Sequence, residues 1–144
     1  MADLRDQYNT CLYHAGAALG RSLARMAEAH FHPIEITPTM GFLLMSAKTA
    51  PGINITDLAY VHQLDQSTIS RTLDKLASQS LIVRNEQDRI VEVFLTPDGE
   101  LKAAEAAGAW EKLRIAYIRL LGNGESRSLA ERVAKADGVL RPRT

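Results

Sequence analysis

Along residues 65–78, side chains suited to bonding rather than to bond-breaking recur at helical spacing. Gln66, Ser67, Thr68, Ser70, Arg71 and Lys75 supply an amide, hydroxyls, a guanidinium and an ammonium, with Asp74 and Ser78 on the same side. Ile69, Leu73, Leu76 and Ala77 repeat on the other side, as an inward helix face should. Short hydroxyls let a backbone come close and donate to phosphates or base edges. The Gln66 amide suits an adenine edge, and the Arg71 fork suits guanine. Nowhere does a nucleophile–base arrangement, a phosphate-cradling glycine loop or a paired-carboxylate signature appear. The sequence points away from an enzyme.

The elements that must position this face can be read outward from it. Asp65 caps the helix, and Gln63-Leu64 reads as a turn from a shorter helix carrying Leu58, Ala59 and Val61. Asn54 caps that helix, with Asp57 three positions on. Upstream, Thr37 and Pro38 open a helix with Met40, Leu43, Leu44 and Ala47 inward, and Pro51-Gly52 closes it. Downstream the period changes to two: Val91, Val93 and Leu95 alternate along a strand, Ile82 and Val83 supply its partner, and Asn85 to Asp88 read as the turn between. Arg89 falls near the hairpin tip, where a cation can enter a minor groove. Two short helices and a hairpin make a winged helix-turn-helix. A helix about 10–12 Å across matches a major groove about 12 Å wide.

The flanks read as helices. Residues 4 to 30 carry an apolar stripe from Leu4 through Tyr8, Cys11, Leu12 and Leu19 to Met26, interrupted only at His32-Pro33. The small run Ala15-Gly16-Ala17-Ala18 within it invites close packing against another helix. A long helix follows Thr96-Pro97 to about Leu121, and Gly122-Asn123-Gly124 breaks it before a last helix over about 125–138. The fold class is mainly α with a small two-stranded β-wing. We expect a dimerisation helix over 1–36, the winged helix-turn-helix over 37–96, and dimerisation helices over 97–144. The terminal apolar faces exceed what one small winged domain can bury.

Leu58-Ala59, Asp65-Gln66-Ser67-Thr68-Ile69-Ser70-Arg71, Leu73-Asp74-Lys75-Leu76, Leu81-Ile82-Val83-Arg84 and Leu95-Thr96-Pro97-Asp98-Gly99 follow one another in a fixed order. Together they resemble the MarR family of transcriptional regulators. The likeness extends over nearly the whole chain, with its specific part in residues 54–99. Ser80 stands where that family usually has glycine. The wing is shorter than usual, and Gln87 replaces the aspartate two residues before the wing-tip arginine, Arg89. The resemblance implies a homodimeric repressor on a pseudo-palindromic operator, released by a small, often aromatic, ligand. By position, His14, Ala18, Met45 and Lys48 are its lining candidates. The DNA-contacting candidates are Gln66, Ser67, Thr68, Ser70, Arg71, Lys75 and Arg89.

Composition sets the outer bounds. The 144 residues are 46% hydrophobic and 24% charged, an ordinary globular balance. Seventeen basic and seventeen acidic residues cancel, which argues against a non-specific coat on nucleic acid. From Asn54 to Thr96 four cations face six acids, a net −2 that sits awkwardly on a phosphate-binding surface. No apolar run approaches a membrane span, the N-terminus lacks signal-peptide features, and the single cysteine allows no intrachain disulfide. A cytoplasmic protein without cofactor or metal is expected. Its partners are double-stranded DNA, a second copy of itself and a small-molecule effector.

Two further readings fit the same residues. The negative segment suits a winged-helix module for protein contact with little DNA binding. Some members of the resembling family sense peroxide with a cysteine near the place of Cys11. A buried packing cysteine is the plainer expectation there. His14, His30 and His32 lack a tetrahedral ligand set nearby and read as solvated or hydrogen-bonded rather than metal-binding.

Overall fold

The computed structural model describes residues 2–142. Its helices and strands run α1 (Ala2–Asp6), α2 (Leu12–Phe31), a 3₁₀ turn (His32–Ile34), α3 (Pro38–Thr49), α4 (Ile55–His62), α5 (Gln66–Ser78), β1 (Ile82–Gln87), β2 (Ile90–Leu95), α6 (Pro97–Leu121) and α7 (Asn123–Leu140). This is a mainly helical winged helix-turn-helix with a two-stranded antiparallel wing. Contacts divide the described residues into two units, with the boundary after Trp110 inside α6.

The first unit holds the core. Phe31, Met40, Leu43, Leu44, Leu58, Ile69, Leu73, Leu76, Ile82 and Val93 are buried together, so helices α3, α4 and α5 and the base of the wing share one apolar interior. Helices α3, α4 and α5 each start at a residue whose side chain caps them, Thr37, Asn54 and Asp65. Thr37 accepts the Met40 N–H at 3.2 Å with Pro38 as the first residue of α3. Gly41 tolerates no side chain, because a Cβ there would meet the Phe31 ring at 2.4 Å.

Three expectations about the first unit need correction. The stripe over residues 4–30 is two helices, with α1 ending at Asp6 and α2 beginning after Cys11. Cys11 is exposed at the N-terminal cap position of α2 instead of buried in a helix face. Asn85, Glu86 and Gln87 belong to β1, paired with Glu92, Val91 and Ile90. The wing turn is only Asp88-Arg89, both left-handed at φ 51° and 68°, the conformation of a two-residue type I′ hairpin.

Gly52 N–H donates to the Val93 carbonyl and Val93 N–H to that of Ile53, both at 3.0 Å, and Asn54 bridges Glu92. The link between α3 and α4 therefore lies along the free edge of β2 and is bridged to it without forming a third strand. At the base of the hairpin, Thr96 N–H donates to the Leu81 carbonyl at 3.1 Å and its hydroxyl to that of Ser80 at 2.7 Å.

The second unit comprises the end of α6 and α7. Gly122, at φ 91°, turns the chain, and α7 begins at once with Asn123, so the break is one residue rather than three. Leu120, Val133, Val139 and Leu140 are exposed here, as Leu4, Leu12 and Tyr13 are in the first unit. Among the described residues no helix is long and apolar enough to cross a membrane.

Candidate nucleic-acid interface

Two capped helix starts build the site. Asn54 Oδ1 accepts from the Asp57 N–H at 2.8 Å, while its Nδ2 donates back to the Asp57 carboxylate at 3.1 Å. Gln63, left-handed at φ 58°, reverses the chain after α4. Asp65 then accepts the Thr68 N–H at 2.7 Å and the Ser67 hydroxyl at 3.2 Å. The Thr68 hydroxyl and backbone N–H, with lesser help from Ser67 and Arg71, hold the Asp65 carboxyl below its ordinary value. Asp65 is thus a fixed anion at the start of α5, where a helix dipole favours one.

On α5, Gln66, Ser67, Arg71 and Lys75 are exposed, whereas Thr68 and Ser70 are half-buried. Ser67 spends its hydroxyl proton on Asp65 and keeps acceptor capacity outward. Arg71 Nη2 donates to the Thr68 hydroxyl at 3.2 Å, which holds the guanidinium along the helix surface. Asp74, on the same outward side, meets Arg84 of β1 at 2.5 Å. Three of the six acids in the segment are therefore engaged: Asp57 and Asp65 in caps, Asp74 with a cation.

Gln66 and Arg89 are brought together. With Asn54, Ile55, Thr56, Asp57, Ile90 and Val91 they line a groove of about 400 Å³, joining the starts of α4 and α5 to the tip of the wing. Thr56 and Arg84 are site residues the sequence did not single out. Thr56 lies two residues after the Asn54 cap, which was a usable signal; the partner of Arg84 is ten residues away and on another element.

Ser80 takes the left-handed conformation at φ 59° that the family's glycine would take. Leu81 N–H reaches the Leu76 carbonyl and Ser80 N–H that of Ala77, both at 3.0 Å, which is a Schellman helix end. The helix terminates as it would with glycine, at some conformational cost.

The remaining candidates are spread out. His14 and Ala18 line a cleft of about 270 Å³ with Leu4, Arg5, Tyr8, Asn9 and Ala15, where the His14 ring stacks on Tyr8 at 5.2 Å. Met45 and Lys48 lie on α3 and are not among that cleft's lining residues; Lys48 approaches Glu100 at 3.9 Å. His30 Nδ1 contacts the Met26 carbonyl at 2.7 Å. Among the described residues no cluster of His, Cys, Asp and Glu is placed to hold a metal.

Residues 36–89, which contain α3, α4, α5 and the start of the wing, match the model of the MarR family. Over that segment the chain is similar to the MarR family. The HTH-type transcriptional repressor MdtR of Bacillus subtilis (strain 168) is 26% identical over 103 residues. That match covers 69% of this chain and 66% of MdtR, a little under two thirds of it. A mutant MarR from E. coli, solved in complex with operator DNA, shares the fold with a TM-score of 0.78 at 23% identity, over 93% of this chain and 98% of that one. The transcriptional repressor CouR, solved bound to p-coumaroyl-CoA, gives a TM-score of 0.73 at 26% identity, covering 84% of this chain and 89% of its own.

Proposed function

We propose that this chain is a sequence-specific DNA-binding repressor, acting as a homodimer on a pseudo-palindromic operator and released by a small, aromatic-type ligand. The observation that carries DNA reading is the shared groove of Gln66 and Arg89 beside the exposed Arg71 and Lys75. One helix start and one wing tip then address the same stretch of duplex, Gln66, Ser67 and Arg71 toward the major groove and Arg89 toward the minor. Thr68 and Ser70, half-buried, serve at closer range through their hydroxyls, and Lys75 meets phosphate. MdtR is a repressor and the E. coli MarR holds operator DNA, which supports the reading.

Homodimerisation is supported by exposed Leu4, Leu12 and Tyr13 in one unit and Leu120, Val133 and Leu140 in the other. We assign residues 37–96 to reading DNA, and 1–36 with 97–144 to pairing. Release by ligand draws on CouR, which was solved with an aromatic acyl-CoA bound. Its lining would include His14 and Ala18, with Met45 and Lys48 contributed from α3.

A gel-shift against the DNA upstream of its own gene, repeated at rising salt, tests the main claim. Specific binding that weakens steeply with salt is expected, and no shift at low salt refutes it. The second reading, peroxide sensing, has the exposure of Cys11 in its favour. It requires oxidant to release DNA from the wild type, and Cys11→Ser to stop that release.

A further inference from the structure

The contact between Asp74 and Arg84 belongs to neither a cap nor the core. Asp74 sits on the outward face of α5, three residues after Arg71 and one before Lys75, where a bare carboxylate would repel phosphates. Its partner is neither of those cations but Arg84, across on β1, at 2.5 Å. Both residues have anchored backbones. Asp74 follows buried Leu73, and Arg84 is paired in register with buried Val93. The Arg84 side chain is only 34% exposed, so little of its freedom remains to be lost when it binds.

The geometry points to Asp74 and Arg84 as positioning residues for DNA reading: their ion pair fixes the wing to the recognition helix and sets where Arg89 points. The inference rests on the function proposed above. The hairpin is held at its base by Thr96 on Ser80 and Leu81, and along β2 by Ile53 and Asn54. The β1 edge above the base has Asp74–Arg84. A strand rises about 3.4 Å per residue, so Arg84 lies about 7 Å above Ile82 and Asp88 about 20 Å above it. Slack of about 1 Å at Arg84 therefore becomes about 3 Å at the tip, more than a groove contact tolerates. The same pairing neutralises Asp74, the one acid within α5, between Arg71 and Lys75.

Asp74→Asn separates positioning from simple charge. In the DNA-free protein we expect the amides of residues 85–91 to exchange with solvent about two- to five-fold faster, the range of a solvent-accessible pair. Asp74→Glu, which keeps the charge and can reach Arg84, should restore wild-type exchange. Unchanged exchange in Asp74→Asn overturns the inference whether or not DNA is bound. With the upstream duplex at about 0.2 M salt, where residual repulsion is screened, Asp74→Asn should bind about two- to five-fold more weakly. Tighter binding overturns it, since that is what loss of a repelling carboxylate alone would give. Failure of the wild type to bind the duplex counts against the proposed function, and the exchange measurement still decides the positioning role.

Discussion

Arg71 is already engaged before any duplex arrives, its guanidinium resting on the Thr68 hydroxyl. A contact to guanine must exchange that bond for two better ones, so Arg71→Ala should weaken specific binding by about 1–3 kcal/mol and relax preference at one base pair. Lys75→Ala, by contrast, should weaken all sequences alike; gel-shifts on a set of single-base operator variants distinguish the two patterns. Ser80 offers a prediction of opposite sign for stability. It holds a left-handed conformation in a helix end that glycine would adopt freely, so Ser80→Gly should stabilise the fold by about 1 kcal/mol in urea unfolding. His62 is the residue to follow with pH. Burial holds its imidazole below the ordinary 6.5, and its Nε2 meets Ser46 Oγ at 2.7 Å, linking α4 to α3. As pH falls through that ordinary value the unfolded chain takes up the proton before the native one does. Stability is thus full above about pH 6.5 and declines below it. His62→Gln should flatten that decline in unfolding midpoints measured from about pH 7.5 to 5.5; an undiminished slope would assign it to another group.

At the scale of elements, the wing tip sets stability against function. Asp88 and Arg89 both occupy left-handed backbone in a two-residue turn, where Asn-Gly is preferred. Arg89→Gly should therefore stabilise the hairpin by about 0.5–1 kcal/mol, yet cost about 1–3 kcal/mol in DNA affinity if the guanidinium enters the minor groove. DNA affinity unchanged in Arg89→Gly would remove the wing from the reading mechanism. This turn also marks where the sequence stopped being legible. The caps at Thr37, Asn54 and Asp65 were readable because a cap is settled within three or four residues. So was the inward face of α5, because its period repeats. Asn85, Glu86 and Gln87 have turn-like composition, but their structure is decided by Ile90, Val91 and Glu92 across the hairpin. The division of residues 4–30 was hidden for the converse reason: no proline or glycine marks the bend at Gln7–Cys11, and the apolar period runs through it. The Asp74–Arg84 contact is a tertiary fact that neither residue announces alone.

For the whole molecule, the charge balance decides how many copies must act. The segment from Asn54 to Thr96 has four cations, and one of them, Arg84, is held by Asp74. That leaves Arg71, Lys75 and Arg89 to displace counterions from a duplex. Each neutralised phosphate contributes about −0.9 to the slope of log affinity against log salt. A single copy can therefore reach a slope of about −3 at most, whereas two copies on a two-fold operator can reach about −5. Affinity measured across a range of salt concentrations should give the steeper value. The exposed leucines of α2 make the matching perturbation available: Leu12, 70% exposed, should be covered in the dimer. Leu12→Glu should then lower the apparent mass in sedimentation and bring the slope down toward the single-copy value, while leaving the fold of residues 37–96 intact by circular dichroism. A steep slope retained by a monomeric variant would mean that cations outside the winged segment carry the contact, and that pairing is not what rescues a negatively balanced reader.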